Sequence, residues 1–543
     1  MEWIKNSVIY NIYPLGFCGA PRENDGIQTY RLDKLYDWID HLKELHINAL
    51  VFNPVFESSR HGYDTKDYFN IDKRLGDNES FKRLCDTLHS NGIRVILDGV
   101  FNHVGRDFWA FRDVIEHKQA SPYCLWFHNL NFGGSSPYGD PFWYEGWSGN
   151  YDLVKLNLYN EDVVQHLLSA VEFWIKEFDI DGLRLDAADC IDMNFFLRLK
   201  QKCRELKPDF WLYGEIIHGD YNRWANPEML DSVTNYECYK GIYSSHNDKN
   251  YFEIAHSLRR QFENGGIYKN IYTYNFVDNH DVNRIRSVLR NKRHVCNVYT
   301  LLYTMPGVPS VYYGSEWAIE GTRTRESDVD LRPCLDINNI PNADNELNSH
   351  LKKLGNIRRS LCALADGSFE NRTIRNEQLV YRRFNSQQQV YVMLNLSEEA
   401  KDVDFRVDGS GFLTDVLNGN CRFEVNGFAN ISVPPCSARI LVLNDGDFKL
   451  PGETEESEAE FSELKTEDSP APLPVRPCIY RHFKGNLYEV MFIAKNSETM
   501  EDMAVYKPLY DSEYKYWVRP CSMFNDILEV NGRKTLRFTP TEE

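Results

Sequence analysis

Arg94-Val-Ile-Leu-Asp98-Gly-Val-Phe-Asn102-His103 is the stretch on which the reading of this chain turns. Four residues with β-forming centres run straight into an aspartate, a glycine and an Asn-His pair. A short apolar run without alternation marks a strand covered on both faces, as parallel strands are. The acid at its C-terminal end marks the edge where parallel α/β sheets place their chemistry. Outward from it, similar runs recur at 8–13, 49–53, 182–186, 211–215, 232–237, 272–277 and 310–313. Amphipathic helical patterns lie between them, at 32–45, 80–90, 161–178, 195–205, 251–263, 295–303 and 346–361. Eight strands alternating with helices are the requirement of an α/β fold closed as a (β/α)8 TIM barrel. An open doubly wound sheet has the same periodicity, so the pattern alone leaves both open.

Three further strand ends carry acids: Gly182-Leu-Arg184-Leu-Asp186, Tyr213-Gly-Glu215 and Phe276-Val-Asp-Asn-His280-Asp281. Residues two apart on a strand share a face, so Arg184 and Asp186 point the same way. The guanidinium is expected to hold Asp186 ionised, leaving Glu215 on the adjacent strand as the partner that keeps its proton. One ionised and one protonated carboxyl are what retaining glycoside hydrolysis needs. A strand-end Asp alone often only caps the following helix. Four such clusters in this order are hard to reach by chance.

On these strings the chain resembles the α-amylase family of retaining glycoside hydrolases, over about residues 3–445. DGVFNH, GLRLDAAD, GEIIH and FVDNHD follow that family's order, as do His61–Asp72 (HGYDTKDYFNID) and Gly307–Trp317 (GVPSVYYGSEW). The resemblance implies a barrel over 1–103 and 158–364, an inserted B domain over 104–157 and a C-terminal antiparallel β-sandwich, the C domain, over 365–444. It implies Asp186 as nucleophile, Glu215 as general acid/base and Asp281 as transition-state stabiliser. Tyr63 would stack on the sugar being cleaved, and Asp98, His103, Arg184 and His280 would contact it or orient the carboxylates. Asp328 and Arg332 look like contacts to the next sugar. Leu153-Val-Lys-Leu-Asn157 is similar to the signature of the neopullulanase and cyclomaltodextrinase branch. Two departures stand out: the barrel starts almost at Met1, where that branch usually carries an extra β domain, and Asp189-Cys190 replaces its usual Asn-Glu pair.

The acidic surplus, net −19, argues against nucleic acid or an anionic membrane surface as partner. Much of it is local, for 445–468 holds ten acidic and two basic residues, within a Glu/Pro/Ser-rich linker expected at 445–477. The expected partner is an α-glucan oligosaccharide, met by a monomer or homodimer. No apolar run reaches the ~18–20 residues of a membrane span. With no visible secretory signal and thirteen scattered cysteines, a cytoplasmic location is expected. No cofactor is required and no metal ligand set is legible. Calcium would be the family's ion, but its loop is not evident. Asn102 stands where many amylases place a calcium ligand, although a lone Asn is more often a hydrogen-bonding spacer. Of the insertion's aromatics (Trp126, Phe142, Trp143, Tyr144, Trp147), one or two are expected to meet sugar and the rest to form core.

Residues 478–543 regain aromatics and β-formers and resemble a small bacterial domain family of unknown function, and their period-two runs separated by turns suggest a small β-rich module in the form of a barrel. Arg481, His482, Lys484 and Arg519 beside Tyr480, Tyr488 and Trp517 suggest a ligand site; a folded spacer is the alternative. Two rivals to hydrolysis remain at this point: a glucanotransferase using the same residues, and a non-catalytic glucan-binding relative. The second is disfavoured because such relatives lose catalytic carboxylates.

Overall fold

The computed structural model describes residues 2–325, 327–446, 448–450, 479–482, 487–496, 502–510, 515–524, 527–530 and 533–540. The chain forms two compact units, Met1–Pro451 and Gly452–Glu543.

In the first unit, β1 (Ile9–Ile12), β2 (Ala49–Phe52) and β3 (Arg94–Gly99) run parallel, with Ile9 opposite Ala49 and Ala49 opposite Arg94. The insertion supplies β4 (His103–Gly105), β5 (Gly146–Trp147) and β6 (Asn150–Lys155) as a small antiparallel sheet. The barrel resumes with β7 (Gly182–Leu185), β8 (Trp211–Gly214), β9 (Ser232–Val233), β10 (Tyr274–Asn275) and β11 (Val308–Tyr312). Their order is β10-β11-β1-β2-β3-β7-β8-β9, and a parallel bridge from Thr234 to Tyr274 joins the two ends into a ring. The closed barrel, rather than the open sheet, is the architecture. Ile9, Val51, Ile96, Trp211, Tyr213, Tyr274 and Val308 pack its interior. Burial on both faces is why these strands read as unbroken apolar runs.

Two strands are shorter than expected. The sixth was expected over 232–237, but Asn235 leaves the ladder and caps the helix Tyr236–Asn247, its Oδ1 accepting from Cys238 N at 3.0 Å. The seventh is paired only at Tyr274–Asn275, and the chain beyond leaves the ladder as the loop that bears His280 and Asp281.

The outer helices obey their apolar spacing. In Glu161–Phe178 the buried Val164, Leu167, Leu168, Val171, Trp174, Ile175 and Phe178 form one face. Asn160 Oδ1 accepts from Asp162 N and Val163 N, and Asp179 ends the helix at φ 52°. Trp174 is fully buried and donates to Tyr68 O at 2.7 Å, which ties the barrel's outer layer to the loop that carries Tyr63. Burying such a side chain contributes on the order of 3 kcal/mol.

After the barrel come β12 (Ser368–Ile374), β13 (Gln378–Phe384), β14 (Gln389–Asn395), β15 (Lys401–Asp415), β16 (Cys421–Val433) and β17 (Ser437–Asn444), all antiparallel, ordered β12-β13-β14-β17-β15-β16. One ladder makes both layers of the sandwich. β15 slips register between Arg406 and Ser410, and Thr373 on β12 donates to Asp404 O at 2.6 Å across the fold. Val380, Tyr391, Met393, Phe405, Leu413 and Ile431 fill the space between.

The second unit holds β18 (Ile479–His482), β19 (Leu487–Lys495), β20 (Asp502–Pro508), β21 (Trp517–Pro520), β22 (Ile527–Val530), β23 (Arg533–Leu536) and β24 (Phe538–Pro540). Among the described residues these make a five-stranded antiparallel sheet, β21-β20-β19-β18-β24, and a separate β22–β23 hairpin, rather than one barrel ladder. Tyr480 is a core residue here with Val490, Tyr506, Phe524 and Phe538, so it is not free to face a ligand. The linker expected at 445–477 falls mostly outside the described residues, as does Lys484. No helix among the described residues is long and apolar enough to cross a membrane.

Candidate active site

The C-terminal ends of β2, β3, β7 and β8 and the loops after β10 and β11 converge on one group of side chains. Arg184, on β7, is its hub. Its Nη1 lies 2.5 Å from Asp98 Oδ2 and 3.3 Å from Asp186 Oδ1, and its Nη2 lies 2.7 Å from Glu215 Oε2. Burial works against the guanidinium's charge, yet Asp98, Glu215 and Asp186 together push its pKa well above the ordinary value. Asp98 also accepts from Asn53 Nδ2 at 3.1 Å and from the Tyr63 hydroxyl at 3.2 Å.

On the other side, His280 Nε2 reaches the Tyr63 hydroxyl at 2.6 Å and Asp281 Oδ2 at 2.9 Å. Its ring lies nearly parallel to two phenols, Tyr63 at 5.5 Å and Tyr13 at 5.9 Å. Arg332 Nη2 contacts Asp281 at 3.3 Å and Asp328 at 2.8 Å, and its guanidinium covers the Tyr13 ring. Burial opposes ionisation of Asp281, but His280 and Arg332 hold its carboxyl well below the usual range. His103 Nε2 stands 3.9 Å from Asp186 Oδ2, and burial pushes its pKa down to about 3, so the ring is neutral. The Trp147 indole of the insertion stacks on it at 5.3 Å.

All ten residues expected at the site thus form one connected group. Asp186, which Arg184 was expected to hold ionised, has its carboxyl pushed well above its usual range by burial; Arg184 opposes this, while Glu215, Asp98 and Asp281 add to it.

Backbone geometry places Asp186 and Glu215. Ala187 adopts φ 44°, ψ 44°, a left-handed conformation unusual for a residue with a Cβ, and its N–H donates to Glu215 Oε2 at 3.3 Å. Gly214 leaves no room for a Cβ, which would lie 2.6 Å from Leu230 Cδ1 and 2.8 Å from Ala188 Cβ. Residues without charge escaped the sequence reading: Asn53, held by Asn11 Nδ2 at 3.1 Å, Tyr13 and Tyr236. Asn53 ends a barrel strand as Asp98 does, and that position was the available signal.

This constellation of an arginine-bridged carboxylate trio facing a His–Asp pair at the mouth of a (β/α)8 barrel matches a known pattern. Residues 11–356 match the α-amylase catalytic domain. The chain belongs to the α-amylase family of glycoside hydrolases. Residues 478–540 match a protein family of unknown function, DUF1653. The chain is 32% identical to a cyclomaltodextrinase of Geobacillus thermopakistaniensis, over 80% of this chain and 76% of that one. It is 31% identical to a maltogenic α-amylase of Bacillus acidopullulyticus, over 75% and 72%. A solved cyclomaltodextrinase superposes with a TM-score of 0.70 at 26% identity, covering 81% of this chain and 78% of the other.

Within this α-amylase-type site, Asn102 Nδ2 lies 3.2 Å from His103 Nδ1 and its backbone oxygen accepts from Leu156 N. Among the described residues one metal-type grouping occurs, His294, Glu398 and Cys436. Asn291 Nδ2 lies 2.6 Å from Glu398 Oε1 and 3.2 Å from His294 Nε2. In the insertion, Trp126, Phe142 and Tyr144 are core, whereas Trp143 and Trp147 are only partly buried.

Proposed function

We propose that the protein cleaves α-glucosidic bonds of maltodextrin-like oligosaccharides by double displacement, with Asp186 as nucleophile, Glu215 as general acid and then base, and Asp281 stabilising the charge that develops on the sugar. The observation that carries this reading is the Arg184 guanidinium bridging Asp98, Asp186 and Glu215. Double displacement needs one of these two acids ionised and the other protonated. Cleavage uses the form with the proton on Glu215 and Asp186 ionised. Glu215 then protonates the leaving oxygen as Asp186 attacks the anomeric carbon. In the second step Glu215 takes a proton from water, which displaces Asp186. The oxocarbenium-like charge that develops in the transition state of each step, on either side of the covalent glycosyl-enzyme, faces Asp98, Asp186 and Asp281, which are fixed before reaction and need no reorganisation.

Tyr63, His103, Arg184 and His280 are assigned to the sugar being cleaved, Asp328 and Arg332 to the next one. The scheme draws on no cofactor, and each acid is oriented by protein groups. We place the enzyme in the cytoplasm, acting as a monomer or homodimer. Incubation with maltotriose, β-cyclodextrin, pullulan and panose, followed by NMR of the first products, tests the reading. α-Anomeric product is expected; β-anomeric product would refute retention, and accumulation of oligomers longer than the substrate would replace hydrolysis with glucanotransfer.

A further inference from the structure

We infer that Tyr236 is a positioning residue that sets the acidity of Glu215, an inference resting on the retaining-hydrolase reading above. The two oxygens of Glu215 have different surroundings. Oε2 accepts from Arg184 Nη2 at 2.7 Å and from Ala187 N at 3.3 Å. An oxygen already facing two donors is a poor place for a proton, so the acid's proton belongs on Oε1. The phenol of Tyr236 lies 3.3 Å from that atom.

The Tyr236 hydroxyl is the donor and Oε1 the acceptor of this hydrogen bond. Close by, Asn279 Oδ1 accepts from Asp281 N at 2.8 Å and from Val282 N at 3.1 Å. Burial, together with the charges of Glu215 and Asp281, keeps Tyr236 protonated far above neutral pH. It is a donor throughout the working range.

The ring cannot swing away. Tyr236 opens the helix Tyr236–Asn247 directly after the cap Asn235, whose Nδ2 donates to Gln261 Oε1 at 3.0 Å and Thr273 Oγ1 at 3.2 Å. The Tyr236 ring packs edge-on against Phe276 at 4.9 Å. A donor aimed at Oε1 stabilises the carboxylate form. As Glu215 gives its proton to the leaving oxygen, negative charge appears on Oε1 and the Tyr236 bond strengthens.

The test is Tyr236→Phe in the full chain, with two substrates of unequal need for an acid. Maltotriose requires a proton on its leaving oxygen; α-maltosyl fluoride loses fluoride without one. On maltotriose kcat/KM is expected to fall about tenfold, through kcat, and the alkaline limb of its pH profile to move upward by about one unit. On the fluoride kcat/KM is expected to stay within about twofold. Equal losses on both substrates, or an unmoved alkaline limb, would overturn the inference and leave Tyr236 a packing residue. Should Tyr236→Phe fail to fold, 3-fluorotyrosine at position 236, a stronger donor, must move the limb downward; no movement overturns it. Absence of hydrolysis by the parent chain would instead strike the proposed function.

Discussion

Arg184→Met removes the cation on which three carboxylates lean while keeping an unbranched side chain of similar length. Arg184 is 6% exposed at its side chain, so the buried rather than the surface scale of ion pairs applies. Deleting one partner of a buried pair costs about 3–5 kcal/mol, because the remaining charge stays uncompensated. Here the contacts at 2.5, 2.7 and 3.3 Å leave Asp98, Glu215 and Asp186 facing one another. The pocket answers by holding protons to higher pH, and each proton retained on Asp186 removes the nucleophile. With tenfold in rate for each ~1.4 kcal/mol, kcat/KM on maltotriose at pH 7 should drop about 10²–10⁴-fold. The acidic limb of the profile, which reports ionisation of Asp186, should move to higher pH. Arg184→Lys, which keeps the charge but cannot fork between two carboxylates, should fall between. The assay is kcat/KM from pH 4 to 9, with thermal unfolding as a folding control. A folded Arg184→Met variant within tenfold of the parent, its acidic limb unmoved, would refute the electrostatic account of this site.

Asp186→Asn should abolish hydrolysis yet raise the thermal midpoint by a few degrees at neutral pH. The sign follows from a native carboxyl raised above its unfolded value: stability is lost as pH climbs from about 3.8 through the native value, so the variant's advantage must grow over that window and vanish in acid. A gain independent of pH would contradict this. Ala187→Gly should relieve a left-handed backbone and leave stability unchanged or up to about 1 kcal/mol higher in urea unfolding, with kcat lower as the N–H on Glu215 loosens. Gly214→Ala should cost activity at least tenfold, since its Cβ meets Leu230 and Ala188 and moves the neighbouring Glu215; full activity would show the strand can yield. Dialysis against a chelator should leave kcat/KM unchanged, because the carboxylates are oriented by Arg184 and Arg332; a loss restored by calcium would reverse that assignment.

The acids were legible because each closes an apolar strand, a placement that needs no knowledge of neighbours. Their uncharged supports were not. Asn53, Tyr13 and Tyr236 belong to the site only because β2, β1 and the helix after β9 bring them there, and none has a local pattern unlike that of a core or capping residue. Tyr236 lay inside an expected strand, and the winning effect was the Asn235 cap, whose buried partners come from residues 261 and 273. The insertion's aromatics divided for a similar reason: Phe142 and Tyr144 are consumed by a small core, and Trp147 is left over His103 by the β5–β6 turn.

Strand alternation, the strand-end acids and the acidic run after residue 445 are properties of short windows and can be read one segment at a time. Acids and an arginine at strand ends pointed to the class of chemistry, and the resemblance to the α-amylase family implied their roles. What the tertiary structure alone decided is how charge is shared among them. Ring closure brings β3, β7 and β8 side by side, and one guanidinium must then serve three carboxylates at unequal distances. Electrostatic energy in a buried site depends on those distances and on the exclusion of water. Neither is a property of a strand read alone, so the direction in which Asp186 titrates emerged only when the barrel closed.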